Sequence, residues 1–406
     1  MIGIVFALFV GDDKRIAAGD EFIKAAKHLE AQIIRDRRHI HQYPEVGMDV
    51  PNTYAYVKER LEQIGCETID CGKYGIVTTI GNGGKTIMLR AELDGLPTKE
   101  ETDISFRSQN GNGHLCGHDI HIAMLLGAAK ILKDREADLK GTVKLMFQPG
   151  EELGIGAKVM IEHGVLENPK VDACLAIHMM PDERNGHFFV KKGITCAYLD
   201  GFMIEVTGKG GHGSRPEETI DPLNVVVDMY SMIKGVVDRE TSAFNPAVCT
   251  IGVLGGGSAA NVIPQRAVLE GTLRCCDSKI RERIIDRIII CANAACQASG
   301  ATHSLKLIST PGMYSDPKLC DDLKRFICEV NGPEKVTEVE LPLLGTEDLS
   351  YISEKVPTML MWMGAGDVGA PTSHSANVFF EENYLYMGTA TLAYCAAKWL
   401  EQQGKA

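Results

Sequence analysis

The stretch Thr86-Ile87-Met88-Leu89-Arg90-Ala91-Glu92-Leu93-Asp94-Gly95-Leu96-Pro97 decides the fold class of this chain. Its first five residues predict a strand, and two carboxylates, Glu92 and Asp94, follow at the C-terminal end of that strand. Further strands are predicted at 141–147 and 171–177. Because helical patterns lie between these strands, the sequence predicts an α/β fold with a mostly parallel sheet.

Polar residues stand directly after the other predicted strands as well. Glu151 and Glu152 follow the strand at 141–147, and His178 follows the strand at 171–177. In parallel sheets, ligands gather outside the carboxyl ends of the strands. We therefore expect these side chains to share one functional edge.

A dense group of metal-binding residue types occupies His114-Leu115-Cys116-Gly117-His118-Asp119-Ile120-His121. It contains three imidazoles, one thiol and one carboxylate, and an apolar helical pattern follows at 122–132. Imidazole and thiolate are ligands for transition metals. The alternative is a polar helix cap with a few exposed histidines, which leaves the similar residues further along the chain unexplained.

The strands predicted at 74–80 and 85–90 are joined by Gly81-Asn82-Gly83-Gly84. A short connection rich in glycine and asparagine between two strands is typical of a hairpin. The sequence therefore predicts that these two strands pair with each other.

The pattern of the chain changes after Lys192 and returns to α/β from Pro311. Between these points, two helices accompany a few strands, which suits an inserted α+β domain. We predict a discontinuous first domain, 1–193 and 310–406, interrupted by a second domain, 194–309.

The amino-acid composition indicates which classes of partner the chain can bind and in which cell compartment it works. The 406 residues carry a formal net charge of −12 and a sequence pI of about 5.5, which argues against nucleic acid or an anionic membrane as a partner. The 13 cysteines include no CxxC pair and predict reduced thiols in the cytoplasm. The apolar run Ile2–Val10 is too short to span a bilayer, and a signal peptide remains an alternative for it.

Five residues offer N, S and O donors for metal: Cys116, His118, Glu152, His178 and His374. They are more than one catalytic zinc needs, but they suffice for two ions that share a bridging group. Glu151 could then act as general base, and Asp94 could orient a ligand histidine through its carboxylate. A Cys116–His118 nucleophile pair is the alternative, and it leaves the other donors without a role.

Several motifs carry a family resemblance. They are Arg38-His39-Ile40-His41-Gln42-Tyr43-Pro44-Glu45, Arg90-Ala91-Glu92-Leu93-Asp94-Gly95-Leu96-Pro97, His114-Leu115-Cys116-Gly117-His118-Asp119, Gln148-Pro149-Gly150-Glu151-Glu152, Ile177-His178, Gly210-Gly211-His212, Asn261-Val262-Ile263-Pro264, Gly345-Thr346-Glu347-Asp348 and His374-Ser375. In this order they resemble the amidohydrolase branch of the dinuclear metallopeptidase family that includes aminoacylase and glutamate carboxypeptidase. Glu92, where the branch usually has Asp, and Gly150, where it usually has Ala, depart from the pattern.

The resemblance implies a catalytic domain that binds two divalent metal ions, Mn²⁺ or Zn²⁺ before Ni²⁺ or Co²⁺, with the five donors as ligands and Glu151 as base. It implies an inserted lid domain that forms a homodimer. It also implies that His212, Asn261 and Arg274 of the lid contact the substrate.

The expected activity is hydrolysis of the amide bond of N-acyl amino acids, such as acetyl or benzoyl conjugates. Aminobenzoyl-glutamate or dipeptide hydrolysis is the alternative within the family. A catalytically silent, metal-stabilised dimeric binding protein and a cysteine-dependent hydrolase are alternatives from other classes.

Overall fold

The computed structural model describes residues 12–242, 245 and 247–405. The apolar run Ile2–Val10 lies outside the described residues. Among those that are described, no helix combines the length and apolar composition needed to cross a lipid bilayer.

The described residues form nine α-helices. These are α1 (Asp12–Gln42), α2 (Pro51–Ile64), α3 (His118–Asp134), α4 (Gly156–Glu162), α5 (Pro222–Glu240), α6 (Ser278–Ser299), α7 (Pro317–Asn331), α8 (Ser350–Ser353) and α9 (Leu385–Gln403).

The described residues also form three short 3₁₀ helices and sixteen strands. These are β1 (Thr68–Asp70), β2 (Ile76–Gly81), β3 (Lys85–Glu92), β4 (Gly141–Gln148), β5 (Ala173–Arg184), β6 (Phe188–Val190), β7 (Gly193–Cys196), β8 (Tyr198–Thr207), β9 (Gly211–His212), β10 (Ala247–Gly256), β11 (Val262–Ile263), β12 (Arg266–Cys275), β13 (Thr302–Thr310), β14 (Met313–Ser315), β15 (Val336–Glu338) and β16 (Thr358–Gly366).

The chain divides into two compact units. Unit 1 contains the described residues up to Gly193 together with Tyr314–Leu341 and the chain from Tyr351 onward. Unit 2 contains Ile194–Met313 and Pro342–Ser350. The last segment lies within the stretch that the sequence pattern assigned to the first domain.

Unit 1 is built on an eight-stranded sheet with the order β1-β2-β4-β3-β5-β16-β6-β15. Its four central strands, β4, β3, β5 and β16, run parallel, whereas β2 and β6 pair antiparallel with their inner neighbours. All eight residues of β4 and eight of the nine residues of β16 are buried, as expected for parallel strands covered on both faces. The predicted α/β class with a mostly parallel sheet is confirmed.

The predicted hairpin between β2 and β3 is wrong. Strand β4 lies between them and pairs antiparallel with β2 and parallel with β3. The connection passes the start of β4, where a Cβ atom on Gly81 would lie 2.4 Å from the carbonyl oxygen of Gly141. Gly81 also has a φ of 87°, a backbone conformation that glycine adopts without strain. Glycine is needed here because the chain passes close to β4, and not because the two strands form a hairpin turn.

Unit 2 contains a four-stranded antiparallel sheet with the order β10-β12-β8-β13. Helices α5 and α6 pack on this sheet, and the inward side chains of β8 alternate with outward ones. Phe202, Ile204 and Val206 point into the core, whereas Met203 between them is exposed. Such alternation is typical of an antiparallel sheet that is covered on one face.

Candidate active site

Helix α3 begins at the centre of the cysteine- and histidine-rich stretch. His118 is its first residue, and Gly117 before it has a φ of 90°. A Cβ atom on Gly117 would lie 3.2 Å from the ring of Phe380, so both the positive φ and this close approach favour glycine at the turn. The turn places Cys116 and His118 side by side at the helix start.

Three donors form a first group: Cys116, His118 and His178. Their candidate ligand atoms all lie within 4.8 Å of one another, and Cys116 Sγ is 3.4 Å from His178 Nε2. His178 Nδ1 donates to the carbonyl oxygen of Met179 at 2.9 Å. This bond fixes the tautomer and leaves Nε2 free to face the thiol.

A second group contains Cys116, Glu152 and His374. His374 Nε2 lies 3.3 Å from Cys116 Sγ and 3.3 Å from the Oε1 atom of Glu152. The ligand atoms again lie within 4.8 Å of one another. The two groups therefore share Cys116, as two adjacent ions with one bridging ligand would require.

Asp94 contacts three residues of the site. Its side chain binds the backbone of Glu151 and Glu152, and its backbone carbonyl group binds the side chain of His118. The Asp94 carboxylate accepts the backbone N–H groups of Glu151 and Glu152, each at 3.1 Å. His118 Nδ1 donates at 2.8 Å to the carbonyl oxygen of Asp94, while the nearer carboxylate oxygen is 3.8 Å away. Asp94 thus orients His118, but through the peptide group and not the carboxylate that the sequence suggested.

Glu151 lies beside both donor groups. Its Oε2 atom is 3.7 Å from His118 Nε2, and its side chain is largely buried. Its neighbour Glu152 has an oxygen 4.0 Å from the same nitrogen. The two carboxylates thus approach one imidazole from adjacent positions of a single turn.

Burial sets the protonation of the donors. It raises the pKa of the Cys116 thiol well above its ordinary value, and the charges of Glu152 and Glu151 raise it further. Burial also lowers the pKa of His178 to about 3, which keeps its imidazole neutral. A neutral imidazole is ready to bind metal, whereas the thiol needs a neighbouring cation before it can ionise.

The residues present fit metal ions. His118 Nε2 is buried and finds no hydrogen-bond partner among the described residues. A buried, unsatisfied nitrogen is costly unless something absent from the protein atoms binds it. This unsatisfied nitrogen and the mixed N, S and O donor set together indicate a site for a transition-metal ion, and not a group of side chains that only stabilises the fold.

Within unit 2, two predicted substrate residues lie next to each other. Strand β9 pairs with β11 so that His212 faces Val262, and the N–H of Gly213 donates to the carbonyl oxygen of Asn261 at 2.8 Å. The His212 side chain is exposed, and its Nδ1 atom accepts the N–H of Ser214 at 3.1 Å. Because Nδ1 accepts this bond, the ring proton of a neutral His212 lies on Nε2.

Arg274 holds the second segment of unit 2. Its Nη1 atom donates to the carbonyl oxygen of Leu344 at 2.9 Å and to the hydroxyl of Thr346 at 3.0 Å. In this structure Arg274 therefore anchors the stretch that contains Gly345-Thr346-Glu347-Asp348.

Residues 88–398 match Peptidase family M20/M25/M40. The chain belongs to this family. It is 34% identical over 386 residues to thermostable carboxypeptidase 1 of Saccharolobus solfataricus, a match that covers 92% of this chain and 96% of that protein. It is also 34% identical over 343 residues to N-acetyl-L-cysteine deacetylase of Bacillus subtilis, covering 83% of this chain and 81% of the deacetylase.

A solved structure gives the same assignment. The Bacillus subtilis YXEP protein, described as a dinuclear metal-binding peptidase of the M20 family, matches with a TM-score of 0.80 and 29% identity. The match covers 92% of this chain and 99% of that one. Family membership confirms the resemblance seen in the motifs and makes the chain a hydrolase of amide bonds.

Sequence reasoning gave no role to His121, one helical turn after His118. His121 Nδ1 lies 2.8 Å from Glu92 Oε2, and its Nε2 accepts the N–H of Met179 at 2.9 Å. Glu92 also pairs with Arg90, so this M20 chain places a carboxylate between an arginine and an imidazole. The spacing of His118 and His121, one helical turn apart, was the available signal that both face the same side.

Proposed function

We propose that the protein hydrolyses the amide bond of N-acyl amino acids with the help of two divalent metal ions. One observation carries the proposal: two groups of metal donors share Cys116, and the buried carboxylate of Glu151 lies beside them. The deacetylase relative is named for a reaction of this kind.

Each proposed ion has three protein ligands. One ion would be held by Cys116, His118 and His178, and the other by Cys116, Glu152 and His374. We favour Mn²⁺ or Zn²⁺, with Ni²⁺ or Co²⁺ as alternatives. When bound, such ions lower the pKa of a water molecule and polarise an amide carbonyl group.

Glu151 is proposed as the general base. Its carboxylate would take a proton from the attacking water and deliver it to the nitrogen of the leaving amino acid, as the C–N bond breaks. Asp94 holds the backbone of this residue through the hydrogen bond described above, which fixes the main-chain position from which the carboxylate extends. This positioning matters because general-base catalysis requires the acceptor within hydrogen-bond reach of the proton.

Unit 2 is proposed to bind substrate and to form a homodimer. His212 would donate a hydrogen bond to the oxyanion in the site of a second copy, and Asn261 and Arg274 would contact the substrate. Strand β10 is an edge of its sheet with exposed Val248, Val253 and Leu254, and apolar edges of this kind favour pairing with another chain.

Hydrolysis of a C-terminal peptide bond is the second candidate. The identity to a carboxypeptidase favours it, because both reactions release an amino acid from an acylated nitrogen. We also propose a cytoplasmic location, since all 13 cysteines are free thiols and most of them are buried.

The test combines metal content with a substrate panel. Protein purified without chelator should contain about two transition-metal ions per chain by elemental analysis, and chelation should abolish hydrolysis until metal is restored. N-acetyl and N-benzoyl amino acids, aminobenzoyl-glutamate and dipeptides should then be compared by kcat/KM. Absence of bound metal in active protein would contradict the proposal, and a strong preference for dipeptides would favour the second candidate.

A further inference from the structure

One metal donor, His374, comes from a long connection instead of a helix or strand end. It lies between the end of β16 at Gly366 and the start of α9 at Leu385, with a φ of 71° and a half-exposed side chain. A left-handed backbone at a non-glycine residue costs on the order of 1–3 kcal/mol and persists only when the surroundings hold it. The position of this imidazole therefore depends on whatever anchors the connection.

Backbone hydrogen bonds anchor the first part of the connection. The N–H of His374 donates to the carbonyl oxygen of Leu115 at 2.8 Å, and the carbonyl oxygen of Ala376 accepts the N–H of Glu101 at 2.7 Å. The first bond ties His374 to the chain just before Cys116. Further along, the N–H of Glu381 donates to the carbonyl oxygen of Ala365 in β16 at 2.7 Å, and side-chain contacts add to this backbone bond.

Arg37 supplies a charged anchor for that later segment. This buried guanidinium lies 2.8 Å from Glu382 Oε1 through Nη1, and the same nitrogen donates to the carbonyl oxygen of Phe380 at 3.2 Å. Its Nε atom donates at 3.1 Å to Asp119, the residue after His118. One side chain therefore connects the start of α3 to the connection that bears His374.

Asp119 is in turn fixed from another direction. His41 Nδ1 lies 2.9 Å from the Asp119 oxygen that Arg37 contacts, and His41 Nε2 lies 3.1 Å from Glu100. Asp119 and Arg37 are both almost completely buried. A buried charge pair with defined partners is a stiff connection, because any displacement leaves a charge unpaired in an apolar surrounding.

From this geometry we infer that Arg37 is a positioning residue for His374 and sets how firmly the second ion is held. The inference rests on the proposed function, because it concerns a ligand of one of the two proposed ions. Removal of Arg37 should loosen the 380–382 segment and weaken mainly the Cys116, Glu152 and His374 group. The group of Cys116, His118 and His178 does not include this connection, and Asp119 next to His118 keeps its contact with His41, so this group should be much less affected.

The experiment measures release of Zn²⁺ to a colorimetric chelator from fully loaded protein. In Arg37→Met, one of two ions should leave about 10- to 100-fold faster than in the unmodified protein, the range typical for residues that support a ligand. The other ion, which Cys116, His118 and His178 would hold, should leave at close to its original rate. Arg35→Met is the matched control, since Arg35 lies on the same helix α1, is exposed and donates to Gln32 instead of to the connection.

A double variant separates positioning from general damage. If Arg37 acts through His374, then adding Arg37→Met to His374→Ala should leave the release of the remaining ion unchanged. Faster release of that ion in the double variant would overturn the inference. If Arg37→Met does not fold, Glu382→Gln provides the test, because it removes the charge of the connection that Arg37 pairs with and keeps both the bond to the Phe380 carbonyl and the Arg37–Asp119 pair.

The outcomes also distinguish the two proposals. Unmodified protein that binds no metal would contradict the proposed function itself. Unmodified protein with two ions, together with variants at Arg37 and Glu382 that release both at unchanged rates, would overturn only the role of Arg37.

Discussion

The two sheets of this protein bury their apolar side chains differently. The central strands of unit 1 are covered on both faces, so β4 is buried along its whole length. The sheet of unit 2 is covered by α5 and α6 on one face, and its outward side chains, such as Met203 and Ile308, are exposed. Of the five candidate metal donors in unit 1, His178 lies within β5, and the other four lie in connections or at the start of α3.

The two sheets therefore suit different functions. Rigid, buried strands suit a site in which donor atoms must keep their distances within tenths of an ångström. A half-exposed sheet with an apolar edge suits association with another surface. We expect chemistry to depend on unit 1 and assembly and substrate contact to depend on unit 2.

The largest expected effect is in unit 1. Glu151→Gln should lower kcat by about 10²- to 10⁴-fold, because it removes the proton acceptor while the neighbouring ligand Glu152 remains. Steady-state kinetics on metal-loaded protein would measure this loss, and elemental analysis should show unchanged metal. Glu162→Gln, at an exposed position of α4, is the control, and near-normal turnover of Glu151→Gln would exclude it as the base.

A somewhat smaller loss should come from unit 2. His212→Ala should lower kcat by about 10²- to 10³-fold if the imidazole stabilises the oxyanion. His303→Ala, on β13 of the same unit, is the control.

Mixing tests whether His212 acts across a dimer. Random exchange between His212→Ala and Glu151→Gln subunits makes half the dimers mixed, and one site in each mixed dimer contains both groups. About a quarter of the unmodified activity should then return. Confirmed exchange without any return of activity would show that His212 does not act in the partner's site.

Adjacent residues of β8 test the one-sided burial of unit 2. Ile204→Ala should destabilise the protein by about 2–5 kcal/mol, because the side chain is fully buried and its loss leaves a cavity. Met203→Ala should change stability by no more than about 0.5 kcal/mol, since that side chain points outward. Denaturant unfolding of both variants measures the difference, and similar losses would refute one-sided burial.

The smallest expected effect is a pH dependence in unit 1. Burial disfavours the charged form of His41, but Asp119 and Glu100 outweigh it and raise its pKa to about 9. Because the folded pKa lies above the ordinary value, the stabilisation is complete below about pH 6.5 and is lost as pH rises through about 9.

The variant His41→Gln should remove this contribution, which is on the order of 1–3 kcal/mol. Its difference in thermal unfolding midpoint from the unmodified protein should be largest at pH 6 and shrink by pH 9. His163→Gln, an exposed histidine of unit 1, should show no such trend. A difference that stays constant with pH would contradict the charged state of His41.

The sequence by itself determined the fold class and the family. Strands that alternate with helices permit few arrangements other than a mostly parallel sheet, and this was confirmed. The order of the motifs indicated an amide hydrolase, and the family match agrees. The five donor residues could be selected because their side-chain types are those that bind metals and because most of them fall in or beside recognisable motifs.

Only the tertiary structure decided which groups meet. Local periodicity contains no information about strand order, so the glycine-rich connection after β2 suggested a hairpin although β4 separates the two strands. For the same reason, the sequence did not reveal that His118 binds the carbonyl oxygen of Asp94. It also did not reveal that Arg37 connects α3 to the segment that bears His374. These contacts join residues far apart in the chain, and their geometry follows from packing that no short stretch of sequence encodes.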